Sequence, residues 1–176
     1  MKLRIATLED IGAIAARVQS AYRGEASRRG WTTEADLLDG QRTDPQAVAE
    51  LIARDRSVIL LAEEEGGLLL ACIHVEGEGE IARFGMFAVD PARQAAGVGR
   101  AVLQGAEAHA IGAWNASEMR LLVIAARSEL IAWYERRDYR LTGATAPFPY
   151  GDARFGLPRQ DDLRFIEMAK PLSTRA

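Results

Sequence analysis

Residues 84–100 read Phe-Gly-Met-Phe-Ala-Val-Asp-Pro-Ala-Arg-Gln-Ala-Ala-Gly-Val-Gly-Arg, and this stretch decides how the chain folds. An apolar run ends at Asp90-Pro91, where proline cannot donate to a ladder, so the run is a strand with a hard stop. A turn of small residues follows, Ala95-Ala96-Gly97-Val98-Gly99, and then a helical pattern in which Val98, Val102, Ala106, His109 and Ala110 share one face. A helix start has N–H groups without intrahelical partners and the positive end of the helix dipole. Small residues at 95, 96, 97 and 99 clear a path to those donors, as a phosphate-binding turn requires, although the same turn also serves tight packing. A Rossmann dinucleotide site would need Gly-x-Gly-x-x-Gly in a first βαβ unit, and a Walker loop would need Gly-Lys-Ser or Gly-Lys-Thr; neither is present.

Working outward, residues 3–6 predict a first strand, and Thr7 caps a helix carrying Ile11, Ile14, Ala15, Val18 and Tyr22 at helical spacing. Residues 23–43 are polar and irregular, read as a mobile insert with one short helix around 34–38. Asp44-Pro45 starts a helix that ends near Asp55. Strands are expected at 57–63 and 68–76 around the turn Gly66-Gly67, and a third at 81–89. Beyond the central helix, a strand at 119–125 precedes a helix capped by Ser128 and running through Arg137. Strands at 140–146 and 163–170 flank a proline-rich loop at 147–162. This order predicts an α/β fold, with a mixed, mostly antiparallel twisted sheet and helices on both faces.

With 176 residues, 22 Lys+Arg against 25 Asp+Glu and a net charge of -3, the chain has the length of a single domain, residues 1–176. That balance provides no sequence-wide attraction to nucleic acid or to an anionic membrane. One Cys, Cys72 in an apolar run, excludes a disulfide framework and a zinc site, so no metal is expected. The N-terminus lacks the pattern of a signal peptide and the apolar runs are far short of a membrane span, which leads to the expectation of a cytoplasmic protein.

Residues Gln94 to Gly99 match the pattern (Arg/Gln)-x-x-Gly-x-(Gly/Ala). Together with the strand before them and the 130–139 helical segment, they make the chain resemble the GNAT superfamily of N-acetyltransferases. The resemblance implies the acyl-CoA N-acyltransferase fold, acetyl-CoA as co-substrate, an amine acceptor, and direct attack in a ternary complex. It also implies that Phe87, Ala88 and Val89 contact pantetheine and acetyl, and that Gln94, Ala95, Ala96, Gly97, Val98, Gly99 and Arg100 cradle the diphosphate. Tyr134, which periodicity alone would place in the core, becomes by resemblance the acid that protonates the departing thiolate. A homodimer is compatible with the family, and the sequence leaves the assembly open.

The chain departs from the family pattern at three places. Arg127 stands where many relatives have Asn and would pair with a CoA phosphate or face solvent, Asp138-Tyr139 replaces Gly-Phe, and Ala95-Ala96 replaces a bulkier pair. For the base that takes the ammonium proton, Glu80 is the nearest in sequence of the carboxylates Glu76, Glu78 and Glu80, with His74 as a lesser candidate. Acceptor recognition is assigned to Tyr22, Trp31 and the Phe148-Pro149-Tyr150 loop, with Glu34, Asp36 or Asp152 offered to a cation. The rival reading is a noncatalytic acyl-CoA sensor or interaction module, favoured if Tyr134 points into the core with no acceptor groove opposite.

Overall fold

The computed structural model describes residues 1–173. In chain order its elements are β1 (Lys2–Ile5), α1 (Ile11–Tyr22), α2 (Gly24–Ser27), β2 (Leu38–Asp39), α3 (Pro45–Ala53), β3 (Ser57–Glu63), β4 (Leu69–Glu78) and β5 (Ile81–Val89). They continue with α4 (Val98–Trp114), β6 (Glu118–Ile124), α5 (Ser128–Glu135), β7 (Arg140–Pro147), β8 (Leu157–Pro158) and β9 (Arg164–Pro171). A seven-stranded sheet has the order β1-β3-β4-β5-β6-β9-β7, and β2 and β8 form a separate two-stranded pair. Every pairing is antiparallel except β5 with β6, and that parallel pair needs a crossover, which α4 supplies. None of the helices among the described residues is long and apolar enough to cross a membrane.

Strand alternation feeds two apolar layers. On one face Ile59 and Leu61 of β3 pack with Ile14 and Val18 of α1 and Val48 of α3. On the other, Leu60 and Ala62 pack with Val102, Leu103 and Ala106 of α4 and with Tyr134 and Tyr139. Helices therefore cover both faces, as the pattern of apolar residues requires. Asp44 accepts a hydrogen bond from the Ala47 N–H at 2.8 Å and caps α3 as read. The α5 start differs from expectation: Arg127 occupies the cap position without a capping side-chain bond, Ser128 is the first helical residue, and the helix stops at Glu135. Asp138 takes the left-handed conformation, φ 71°, that ends the segment in place of glycine.

One irregularity in β5 sets the geometry of everything downstream. Ala82 and Phe84 point into the α4 layer, and strict alternation would send Met86 and Ala88 the same way. Between Cys72/Ala88 and His74/Gly85 the β4–β5 register shifts, and Met86 has φ 44°. This bulge inverts the alternation, so Met86 and Ala88 join the α1 layer while Phe87 and Val89 turn to the α4 side. The β5–β6 pairing ends at Phe84/Leu121, whereas β4 stays paired to β5 as far as Val89 and β9 to β6 as far as Ile124. The sheet thus splays open between β5 and β6.

Residues 23–43 contain no helix around 34–38; the short helix is α2, and Leu38–Asp39 pairs with β8. Nor is the segment loosely attached, because Ser27, Glu34, Ala35 and Leu38 are buried. Glu34 accepts from Arg23 Nη1 at 2.6 Å and from Arg127 Nη1 at 2.8 Å, tying the segment to the end of α1 and the start of α5. Burial alone would raise the Glu34 pKa, but the charges of Arg127, Arg42 and Arg23 outweigh it and the carboxyl sits below its ordinary value. Removing the carboxylate leaves buried guanidinium charge uncompensated. Glu34→Ala is expected to lower unfolding stability by about 3–5 kcal/mol, read by urea denaturation near neutral pH. Because the folded-state pKa is depressed, the contribution of Glu34 is present above the unfolded carboxyl value and declines as pH falls below it.

Candidate active site

Two cavities flank the opening between β5 and β6. The first, about 300 Å³, is walled by Phe87 and Val89 of β5, by Gly97, Gly99 and Arg100 at the start of α4, and by Leu130, Trp133, Tyr134 and Arg137 along and beyond α5. Gly97 adopts φ 80°, a left-handed conformation that turns the chain from a 3-10 segment (Pro91–Ala96) into α4. The first N–H groups of α4 therefore stand at the cavity without intrahelical partners. Among the described residues Arg100, Arg127 and Arg137 line this cavity and no Asp or Glu does. A chain of net charge -3 has here gathered cations and excluded carboxylates, which suits an anionic ligand of several charges.

The structure separates the residues expected to meet the cofactor. Phe87, Val89, Gln94, Gly97, Gly99 and Arg100 line the first cavity; Ala88, Ala96 and Val98 do not. The Asp90 N–H bonds the Leu70 carbonyl on β4, so backbone alternation turns Ala88 toward β4 and Phe87 and Val89 toward the opening. The Ala88 side chain is buried in the α1 layer and that of Val98 in the α4 layer. Ala95 belongs to the 3-10 segment, and its side chain lies outside what is described. The Gln94 side-chain oxygen is already engaged, accepting from the Trp31 N–H at 2.9 Å. Arg127 neither faces solvent nor keeps a free guanidinium, since it also donates to Thr32 Oγ1 at 2.8 Å.

Tyr134 is buried, yet its ring borders the first cavity and a small neighbouring one of about 70 Å³. It packs against Phe84, Trp133 and Tyr139. Burial, followed by the nearby Tyr22, raises its pKa above the ordinary phenol range, so the hydroxyl keeps its proton near neutrality. Trp133 and Arg137 were not singled out as site residues from sequence. The Arg137 guanidinium lies 3.5 Å from the Trp133 ring centroid and donates to the Trp133 carbonyl at 2.7 Å. Their i, i+4 spacing was the available signal. Trp31, expected in the acceptor wall, instead stacks on Trp133 with centroids 6.4 Å apart, over the first cavity.

The second cavity, about 410 Å³, has β4, β5, β6 and β9 as floor and the 23–43 and 147–162 segments as walls. The smaller cavity shares residues with both large ones, Tyr22 and Tyr134 with the first and Arg42 and Phe165 with the second. Tyr22 donates its hydroxyl to the Phe87 carbonyl at 2.8 Å, closing part of the open strand edge. The base assignment to Glu80 is corrected. Glu80 sits in the turn before β5, lines none of these cavities, and lies eight residues from Ala88 along an extended strand, roughly 25 Å away.

His74 lines the second cavity instead. Its Nε2 is 2.9 Å from Ser57 Oγ, and that hydroxyl donates its single hydrogen to the Leu51 carbonyl at 2.7 Å. His74 must therefore donate from Nε2 and keep its lone pair on Nδ1. Burial lowers its pKa, opposed by Glu76 and assisted by Arg54, so the imidazole is neutral near pH 7. Cys72, on β4 opposite the β5 bulge, has its Sγ 3.9 Å from the Met86 carbonyl oxygen, and burial pushes its thiol up to about 12. Among the described residues no cluster of three or more His, Cys, Asp or Glu is placed to hold a metal ion.

Residues 55–141 match the family model described as the acetyltransferase (GNAT) domain. By this match the chain carries a GNAT domain. Its fold is that of solved GNAT structures. The ribosomal-protein-S18-alanine N-acetyltransferase from Escherichia coli aligns with TM-score 0.72 at 18% identity, over 99% of this chain and 96% of that one. A ribosomal-protein-alanine N-acetyltransferase from Brucella melitensis aligns with TM-score 0.69 at 19% identity, over 98% and 100%. A spermidine N-acetyltransferase from Vibrio cholerae aligns with TM-score 0.68 at 13% identity, over 98% and 95%. No curated protein matches the sequence significantly. The GNAT match contains β5, the α4 start and α5, hence most of the first cavity, while Arg23, Glu34, Leu38, Arg42, Phe148, Phe155 and Phe165 of the second lie outside it.

The two glycines of the GNAT turn are not equivalent. Gly97 has positive φ, so any side chain there strains the backbone. A Cβ at Gly99 would make ordinary contacts of 3.5–3.8 Å with Trp133, Val89 and Phe87 at the cavity wall. Gly99→Leu is therefore expected to fold and to fill the cavity, weakening CoA binding at least about tenfold for a loss of roughly 1.4 kcal/mol. Calorimetric titration checks it, and unchanged affinity in a folded variant would place the ligand elsewhere.

Proposed function

We propose that the chain, residues 1–176 acting as one domain, is an acetyl-CoA-dependent N-acetyltransferase that acetylates a primary amine by direct attack in a ternary complex. The observation that carries this reading is the pair of cavities on either side of the β5–β6 opening, with a buried protonated phenol on one side and a neutral imidazole on the other. Acetyl-CoA, when bound, supplies an acyl group on a thioester with a thiol as leaving group. The residues of the first cavity fit such a ligand: Arg100 and Arg137, which pair with no carboxylate among the described residues, unpartnered helix N–H groups and a glycine-lined approach accommodate phosphates. Phe87 and Val89 offer main-chain groups along the open edge, where a pantetheine amide can pair as a strand would.

In this reading the amine nitrogen bonds the acetyl carbon as the carbon–sulfur bond breaks. His74 Nδ1 accepts the ammonium proton, directly or through water, and Tyr134 donates its own to sulfur. Ser57 holds the imidazole in the tautomer that leaves Nδ1 free, and is a positioning residue. A buried thiol held near pKa 12 supplies no thiolate, which supports direct transfer over an acyl-enzyme on Cys72. The noncatalytic alternative is less well supported, since Tyr134 borders a cavity and a second cavity lies across the opening.

Two variants separate these roles, with an amine panel and thiol release as the assay. Tyr134→Phe keeps the ring packing and is expected to slow single-turnover transfer about 100-fold while CoA affinity hardly moves. Near wild-type transfer would leave Tyr134 a packed aromatic. His74→Asn is expected to lower transfer about 100-fold at neutral pH, with the deficit shrinking as pH approaches the pKa of the amine, where free base no longer needs a proton acceptor. In the wild type the acid limb of the profile should lie below the ordinary imidazole value, because burial depresses it. A uniform deficit at every pH would remove His74 from the base role.

A further inference from the structure

We infer that the acceptor is an amine that also carries a carboxylate and an apolar body, as an amino acid with a hydrophobic side chain does, and that Arg42 binds the carboxylate. The inference rests on the acetyltransferase reading for its chemistry and on the second cavity for its binding.

The charged side chains lining that cavity are nearly all paired, with one another or with neighbours outside it. Arg23 pairs with Glu34 at 2.6 Å, Glu76 with Arg54 at 3.0 Å, and Arg83 with Glu167 at 2.9 Å. Glu34 takes Arg127 on its other oxygen. Arg42 is different: among the described residues its side chain has no hydrogen bond and no ion pair, although it lines both the second cavity and the small one leading to Tyr134. Its place is nevertheless fixed. The Arg42 N–H donates to Gln19 Oε1 at 3.1 Å, and the guanidinium lies 5.0 Å from the Tyr22 ring, itself pinned by its hydroxyl on the Phe87 carbonyl.

A half-buried guanidinium held in position, near Glu34 but not bonded to it because both Glu34 oxygens are taken by Arg23 and Arg127, is satisfied by a ligand carboxylate, whose two oxygens match its fork. One unpartnered cation fits a monoanion better than a phosphate. A polyamine would need carboxylates to receive it, and both carboxylates lining the cavity are taken. The remaining wall is apolar, from Leu38, Leu121, Leu122, Phe148 and Phe165, and so suits a hydrophobic body. This replaces the expectation that Glu34, Asp36 or Asp152 receives a cation. Glu34 is shared by two arginines, Asp36 pairs with Arg28 and Asp152 with Arg154, and neither aspartate lines the cavity.

The test compares phenylalanine with phenethylamine, leucine with isopentylamine, and both pairs with spermidine, by acetylation in the presence of acetyl-CoA and by calorimetric binding to the CoA-loaded enzyme. A charge-assisted pair predicts that each amino acid exceeds its decarboxylated partner by roughly 10- to 100-fold in kcat/KM and in affinity. Arg42→Gln should collapse that ratio to near one, through KM, and Arg42→Lys should retain part of it. Equal use of the decarboxylated amines, preference for spermidine, or a preference untouched by Arg42→Gln would overturn the inference while leaving the acetyltransferase reading in place. Arg42-dependent binding of phenylalanine without acetylation of any amine would instead sink the transferase reading and keep the site. Absence of Arg42-dependent binding to the folded protein overturns the inference whatever the activity.

Discussion

The site exists because β5 and β6 stop pairing at Phe84 and Leu121 while each remains bonded to its other neighbour. A strand edge without a partner exposes main-chain donors and acceptors, which in a buried place must be satisfied by something. Here the Tyr22 hydroxyl covers one of them, the Phe87 carbonyl, and the rest border a cavity. Stable pairing on the outer sides lets the sheet hold this gap open. The bulge at Met86 then aims the strand: by inverting the alternation it turns Phe87 and Val89 toward α4 and α5, and Ala88 toward α1.

Charge is sorted around the gap. Glu34 binds Arg23 and Arg127 in a setting closed to water, so the end of α1, the 23–43 segment and the start of α5 are clamped to one point. The clamp removes Arg127 from service to a ligand and cancels the negative charge of Glu34. Arg100 and Arg137 remain on one side of the opening and Arg42 on the other. An acidic chain therefore presents arginines without carboxylate partners, among the described residues, on both sides of the opening.

Much of the wall of the first cavity was readable in residues 84–100, because its elements are local: a proline-stopped strand, a glycine turn and a helix start each announce themselves within a few residues. The expected strands agree with the observed ones to within one or two residues at most ends. The expected base, Glu80, falls away from the cavities for the opposite reason. Glu80 was chosen for nearness in sequence, yet a strand carries nearby residues far apart in space, and His74 reaches the cavity by lying on the neighbouring strand opposite Gly85. Its tautomer depends on Ser57 and Leu51, from a third strand and a helix.

The sequence by itself determined the layers, the order of strands and helices and the turn at Gly97, since periodicity and backbone preference act over a turn or two of chain, while Tyr134 became a candidate only through the family resemblance. Only the tertiary structure decided which face each β5 residue takes after Met86, that residues 23–43 are clamped by Glu34, and that the Arg42 side chain has no hydrogen-bond or ion-pair partner among the described residues. Those outcomes come from pairing register and from competition among distant charges. Arginines and carboxylates could be paired on paper in many ways, and burial selects among them because an unpaired charge inside costs far more than one in water.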